Sequence, residues 1–120
     1  MRILVVDDST YIRSTIKSTL SDNGYEVIGE AGSGEAAIDL ILELKPDVIT
    51  LDNILPDMTG LDVMKAINIS SQNPYVIMIS AVGQESAVTE AMSLGVKHYL
   101  VKPFDHNELI SILNEINQTN

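Results

Sequence analysis

A chain of 120 residues with no cysteine has the size of one domain able to bury a core unaided, and it excludes a disulfide framework or a thiolate metal site. Seventeen acidic residues against seven basic ones leave a net charge of −10, which argues against a nucleic-acid partner, since that needs a basic stripe. No apolar run approaches the roughly 18 residues of a membrane span, and the first residues lack a signal peptide's basic segment and cleavage site, so the expected setting is the cytoplasm, with no membrane partner.

In chain order, short apolar runs alternate with amphipathic stretches. Residues 3–6, "ILVV", predict a first strand, and Ser9 or Thr10 stands ready to cap a helix carrying Ile12, Ile16 and Leu20 on one face. Gly24 stops that helix. Residues 27–28 predict a second strand, followed by "AGSG" and a helix with Ile38, Ile41 and Leu42. Pro46 precedes a third strand at 48–51, and Leu61, Met64 and Ile67 mark the next helix. Pro74 precedes a fourth strand at 76–79, then come Val88, Ala91 and Met92, and Gly95 as a stop. Residues 99–101 predict the fifth strand. Asp105 and Glu108 have capping-box spacing ahead of Leu109, Ile112, Leu113 and Ile116. The tail "NQTN" is expected to fray.

Three of the strand runs are continuous and rich in Val and Ile, as in a parallel sheet covered on both faces. The reading is α/β: a (βα)5 unit, one domain over 1–120 with no linker, repeat or output domain, and helices on both sides of a five-stranded parallel sheet.

Ligands of open α/β sheets bind beyond the carboxyl ends of the strands, where strand order reverses. Strand one exits into Asp7 and Asp8, strand three into Asp52, strand four into Ser80 and strand five into Lys102 and Pro103. The second exit, "AGSG", carries no such group and is assigned to an edge strand. Taken singly, an Asp here caps a helix, a Ser bonds nearby backbone and a Lys is a solvated charge. Convergence on one edge argues otherwise. Two carboxylates about 4 Å apart repel by about 4 kcal/mol at an effective dielectric of about 20, or roughly three pKa units. Such a cluster holds a proton or a cation, and all-oxygen ligands select a hard ion such as Mg2+. With an ammonium and a hydroxyl, the pocket suits a phosphoryl group, and Asp52 is the best candidate nucleophile. His98 and His106 lack ligand spacing to these acids.

The motifs "VVDDS", "LDNILPDMTG", "ISA" and "KPF", in this order, resemble the receiver domain of two-component response regulators from Arg2 to about Ile116. "MRILVVDDSTYIRSTI" and "GEAGSGEAAI" resemble its single-domain chemotaxis branch more than the DNA-binding regulators. The resemblance implies a flavodoxin-like three-layer sandwich with strand order 2-1-3-4-5. It implies that Asp52 is phosphorylated, that Asp8, Asp52 and the backbone carbonyl of Ile54 bind Mg2+, and that Asp7 holds a metal-bound water. Lys102 would pair with phosphoryl oxygens, aimed by a cis bond to Pro103. Ser80 would move toward the phosphoryl group, and Tyr99 would turn inward, remodelling the fourth helix, fifth strand and fifth helix. Implied partners are a CheA-like histidine kinase, a flagellar motor switch protein or other effector, and a phosphatase, with the chain monomeric and a phosphoacceptor rather than an enzyme.

Ile54 and Val82 replace the polar residues found at these positions in the enteric branch. Apolar side chains there cannot orient a hydrolytic water, so slow self-dephosphorylation is expected. Two rival readings are a phosphorelay intermediate or adaptor without its own effector, and an Mg-dependent phosphohydrolase with an Asp nucleophile. The second is disfavoured because Asn53 follows Asp52 and little chain is left for a cap domain.

Overall fold

The computed structural model describes residues 1–70 and 73–119. Five strands alternate with five helices: β1 Arg2–Val6, α1 Thr10–Asp22, β2 Glu26–Ala31, α2 Gly34–Leu44, β3 Val48–Leu51, α3 Gly60–Ile69, β4 Tyr75–Ser80, α4 Glu85–Ser93, β5 His98–Val101 and α5 His106–Thr119. All strand pairs are parallel and the sheet order is β2-β1-β3-β4-β5.

Strand side chains alternate between faces, and the core divides accordingly. Leu4, Val6, Ile49, Leu51, Val76 and Met78 pack with Ala37 and Ile41 of α2, Val63, Met64 and Ile67 of α3 and Ala91 of α4. Ile3, Val5, Val48, Ile77, Ile79 and Leu100 pack on the other face with Ile16 and Leu20 of α1 and Leu109, Ile112, Leu113 and Ile116 of α5. β1, β3 and β4 are therefore covered on both sides, which explains their unbroken apolar runs.

Edge strands read less clearly. β2 extends beyond residues 27–28 at both ends, because Glu26 pairs with Arg2 and Gly29, Glu30 and Ala31 pair with Leu4, Val5 and Val6 of β1. Paired on one side only, β2 tolerates polar residues that hide it from an apolar pattern. Elsewhere the strands differ from their apolar runs by one residue at an end: β1 and β5 begin one residue early at Arg2 and His98, and β4 gains Tyr75 and Ser80. Leu42 and Met92 lie outside the core at 43% and 45% exposure, since Ala37, Ile41 and Ala91 fill the close approaches. In the tail, α5 continues through Thr119, and Asn120 lies outside the described residues.

Helix ends obey local chemistry. Ser9, Ser33 and Thr59 accept hydrogen bonds from the amides of Ile12, Ala36 and Asp62. At Thr59 the Asp62 carboxylate returns a bond, which closes a reciprocal box. Asp105 accepts from the Asn107 amide at the start of α5. Gly24 and Gly95 come after α1 and α4 with φ of 82° and 105°, a region that glycine enters without steric cost.

The segment between β3 and α3 is held from two sides. Asp57 reaches across to the N-terminus of α2, accepting from the amides of Gly34 at 2.8 Å and Glu35 at 2.9 Å. Gly60 approaches the opposite end, its amide donating to the Asn53 carbonyl at 2.8 Å. A Cβ on Gly60 would lie 2.7 Å from the Asp52 carbonyl oxygen and 3.0 Å from the Asn53 Cα.

Both contacts can be tested by substitution. Gly60→Ala gains helix propensity of under about 1 kcal/mol but meets backbone that cannot yield, so net destabilisation of about 1–2 kcal/mol is expected in urea unfolding. The amides of Glu35, then Gly34, hold the Asp57 pKa below its ordinary value. A group depressed in the folded state stabilises fully above its unfolded pKa of about 3.9 and loses that contribution as pH falls through the folded value. The stability difference between wild type and Asp57→Asn should therefore be constant from pH 7 to about 5 and shrink at lower pH, as read by urea midpoints.

Candidate functional site

The sheet order reverses beside β1: the chain steps outward to β2, then returns across β1 to β3. In the β1–β3 ladder Val6 lies opposite Leu51, and the Asp52 amide donates to the Val6 carbonyl at 3.0 Å. That register sets Asp7 and Asp52 side by side at the first positions past the sheet. Both are buried, at 1% and 4% exposure, whereas Asp8 is exposed. One carboxylate oxygen from each of Asp7, Asp8 and Asp52 lies within 4.8 Å of the other two.

Lys102 joins the group from the exit of β5. Its backbone amide donates to the Ser80 carbonyl, and its Nζ donates to Asp7 Oδ2 at 2.7 Å and to Asp52 Oδ2 at 3.1 Å. The Lys102–Pro103 peptide is cis. The remaining oxygens are also engaged: Asp7 Oδ1 accepts from the Ser9 amide at 2.9 Å, and Asp52 Oδ1 from the Ile54 amide at 3.1 Å.

Burial dominates the electrostatics of Asp52 and raises its pKa. The Ile54 amide opposes that rise, the Asp7 charge adds to it, and Lys102 opposes it. Burial pulls the Lys102 ammonium the other way, toward neutrality. Its hydrogen bond to Asp7 and the charge of Asp52 outweigh this and raise its pKa overall, so the ammonium stays charged. Among the described residues, three carboxylates meet one ammonium, which bonds two of them directly and leaves the site an excess of negative charge. Its donors are all carboxylate oxygens, which fits a hard divalent ion such as Mg2+.

Ser80 is fully buried as the last residue of β4, and its Oγ accepts from the Val82 amide at 3.1 Å. Tyr99 packs partly buried against the α2–α4 face, and its hydroxyl donates to the Val82 carbonyl. Ser80 and Tyr99 therefore meet at one residue, a link invisible in their spacing. Ile54 is 53% exposed at the rim. The histidines stand apart: His98 stacks on Tyr75, and His106 stacks on Phe104 and bonds Thr19.

Sequence reasoning missed two residues near the site. Asp57 anchors the segment after Asp52 to α2, and Arg13 of α1 donates to the Asp7 carbonyl at 2.6 Å. Nothing in the spacing of either residue marks these contacts, which bridge separate elements.

A family model described as the response regulator receiver domain matches residues 3–114. A chemotaxis protein CheY of Thermotoga maritima is 39% identical over 117 residues, which cover 98% of each chain. A chemotaxis protein CheY of Bacillus subtilis is 39% identical over 114 residues, or 95% of each chain. Among solved structures, a Borrelia burgdorferi CheX–CheY–BeF3–Mg2+ complex contains a chain that superposes with a TM-score of 0.92 at 30% identity, covering 97% of this chain and 88% of that one. With the sheet order, the acidic cluster and the ammonium all in register, the chain belongs to the response regulator receiver domain family and is CheY-like within it.

Proposed function

We propose that residues 1–120 act as a single phosphorylation-controlled switch, with Asp52 accepting a phosphoryl group from a phosphohistidine of a CheA-like kinase. The observation that carries this reading is the triad of carboxylates within 4.8 Å of one another, bridged at Asp7 and Asp52 by Lys102. An Asp52 carboxylate oxygen attacks phosphorus, the P–N bond breaks, and the imidazole leaves with the bonding pair and takes up a proton. An acyl phosphate remains on Asp52.

Asp8, Asp52 and the Ile54 carbonyl would hold Mg2+, and Asp7 a water bound to it. When bound, the ion neutralises charge that develops on the transferring oxygens. Lys102 shifts its ammonium to a phosphoryl oxygen, which its two present hydrogen bonds leave it close enough to reach. The Ser80 hydroxyl donates to another oxygen, exchanging its bond with the Val82 amide for one to an anion. Tyr99 shares Val82 with Ser80, so a change at that residue reaches the surface formed by α4, β5 and α5. Phosphorylation adds roughly −1.5 to −2 charges. Inverting a 1:99 equilibrium to 99:1 takes about 5.5 kcal/mol of differential contact, within reach of charge-assisted bonds from Lys102, Ser80 and the ion.

The output is chemotactic signalling, through a flagellar motor switch protein or another effector. Similarity to CheY over nearly the whole chain supports that output. The apolar side chains at Ile54 and Val82 leave no polar group there to orient a hydrolytic water, so the acyl phosphate is long-lived and a separate phosphatase ends the signal. The neighbour solved together with CheX and BeF3 supports an added partner acting on the modified state.

Incubation with labelled acetyl phosphate and Mg2+ should deposit about one equivalent of label on wild type and none on Asp52→Asn. Release of many equivalents of inorganic phosphate per chain would instead point to a hydrolase. In the labelled protein, Ile54→Asn with Val82→Glu should shorten the half-life by about 10-fold, a modest part of the 10²–10⁴ that a positioned base contributes. An unchanged half-life would show that these side chains do not control water access.

A further inference from the structure

The exit of β2 offers no chemical group in its sequence, yet it shapes the opposite wall of the acidic site. The β1–β2 ladder ends where the Asp7 amide donates to the Ala31 carbonyl at 3.1 Å. The carbonyl of Asp7, the first residue after β1, lies past the ladder and takes its hydrogen bond from Arg13 Nη1 at 2.6 Å. Arg13 is itself held. Its Nε donates to Glu30 Oε1 at 2.8 Å, its Nη2 lies 3.4 Å from Thr10 Oγ1, and its side chain is only 16% exposed. Glu30 also pairs with Lys17. The guanidinium passes over Gly32, where a Cβ would sit 3.0 Å from Nη1.

The consequence falls on Asp8. The Asp7 carbonyl and the Asp8 amide belong to one rigid peptide plane, so fixing the carbonyl fixes the direction in which the chain leaves for the Asp8 Cα. Asp8 is exposed, and among the described residues no hydrogen bond holds its carboxylate. Its aim toward Asp7 and Asp52 therefore comes from backbone. We infer that Arg13 is a positioning residue for the cation site: through the Asp7 carbonyl it sets the peptide plane that presents the Asp8 carboxylate, with Glu30 as its anchor and the gap at Gly32 as its passage.

This inference rests on the Mg2+ site proposed above. Outer groups that orient metal ligands are typically worth about 10–100-fold in metal affinity, and an arginine fork confers a direction that a point charge does not.

The test is calorimetric titration of Mg2+ alone into wild type, Arg13→Gln, Gly32→Ala and Lys17→Gln, with urea midpoints to confirm folding. Arg13→Gln should weaken Mg2+ binding by about 10-fold. Gly32→Ala keeps every charge but shifts the guanidinium by the few tenths of an ångström that a methyl 3.0 Å from Nη1 requires, and should weaken binding severalfold. It decides the matter should Arg13→Gln fail to fold. Lys17→Gln removes an equal charge from the same Glu30 without touching the Asp7 carbonyl, and should stay within about two-fold of wild type. Phosphorylation of Arg13→Gln by acetyl phosphate should recover to the wild-type rate at saturating Mg2+. The inference is overturned if folded Arg13→Gln and Gly32→Ala bind like wild type, if Lys17→Gln falls as far as Arg13→Gln, or if the rate stays low at saturating Mg2+. A wild-type protein that takes up no Mg2+ would overturn the proposed function as well, whereas normal wild-type binding with indifferent variants would remove the role of Arg13 alone.

Discussion

Carboxylates driven together at the ends of β1 and β3 are the constraint around which the structure is arranged. Parallel strands in register leave the sheet at the same level, so Asp7 and Asp52 are neighbours by construction. Both are buried, where repulsion is least screened. The Lys102 ammonium relieves part of it through bonds to one oxygen of each residue, and the amides of Ser9 and Ile54 take the other two. A single ammonium against three carboxylates leaves a net anionic pocket. That residual charge and its all-oxygen donors fit a hard divalent cation.

The rest of the fold keeps that cluster in place. Two apolar layers cover the sheet, so β1, β3 and β4 cannot slip without exposing core residues such as Leu4, Ile49 and Ile77, each with no exposed surface. Around the exits, backbone is pinned by contacts from other elements: Asp57 on α2, Gly60 beneath Asp52, and Arg13 on the Asp7 carbonyl. These groups hold the backbone on either side of the acids without entering the cluster. On the far side, Val82 bonds both Ser80 and Tyr99. In the proposed switch this one residue joins the buried Ser80 hydroxyl to an aromatic ring on the edge strand.

Much of this was legible in the chain. The two-layer burial of the central strands appears as unbroken Val and Ile runs, and the exits appear as polar residues immediately after them. Asp7, Asp8, Asp52, Ser80 and Lys102 are recognisable because they stand at or just past strand ends, and strand ends are local features. The edge strand β2 is longer than its apolar run because one-sided pairing relaxes its composition, as at Gly29 and Glu30. Leu42 and Met92 share the periodicity of the core stripes yet lie outside the core, because periodicity specifies a face but not how closely that face approaches the sheet; alanines occupy the tightest positions.

Sequence alone determined the element order, the parallel α/β class and the set of residues at the carboxyl edge, because each depends on periodicity and on the residue types just past a strand. Tertiary structure decided which of those residues touch. Lys102 bonds Asp7 across 95 positions of chain, Tyr99 reaches Val82, and Arg13 closes on Asp7 over a glycine that carries no signal of its own. Such contacts depend on strand order, register and the few ångströms between packed elements, and those distances exist only once the whole core has formed.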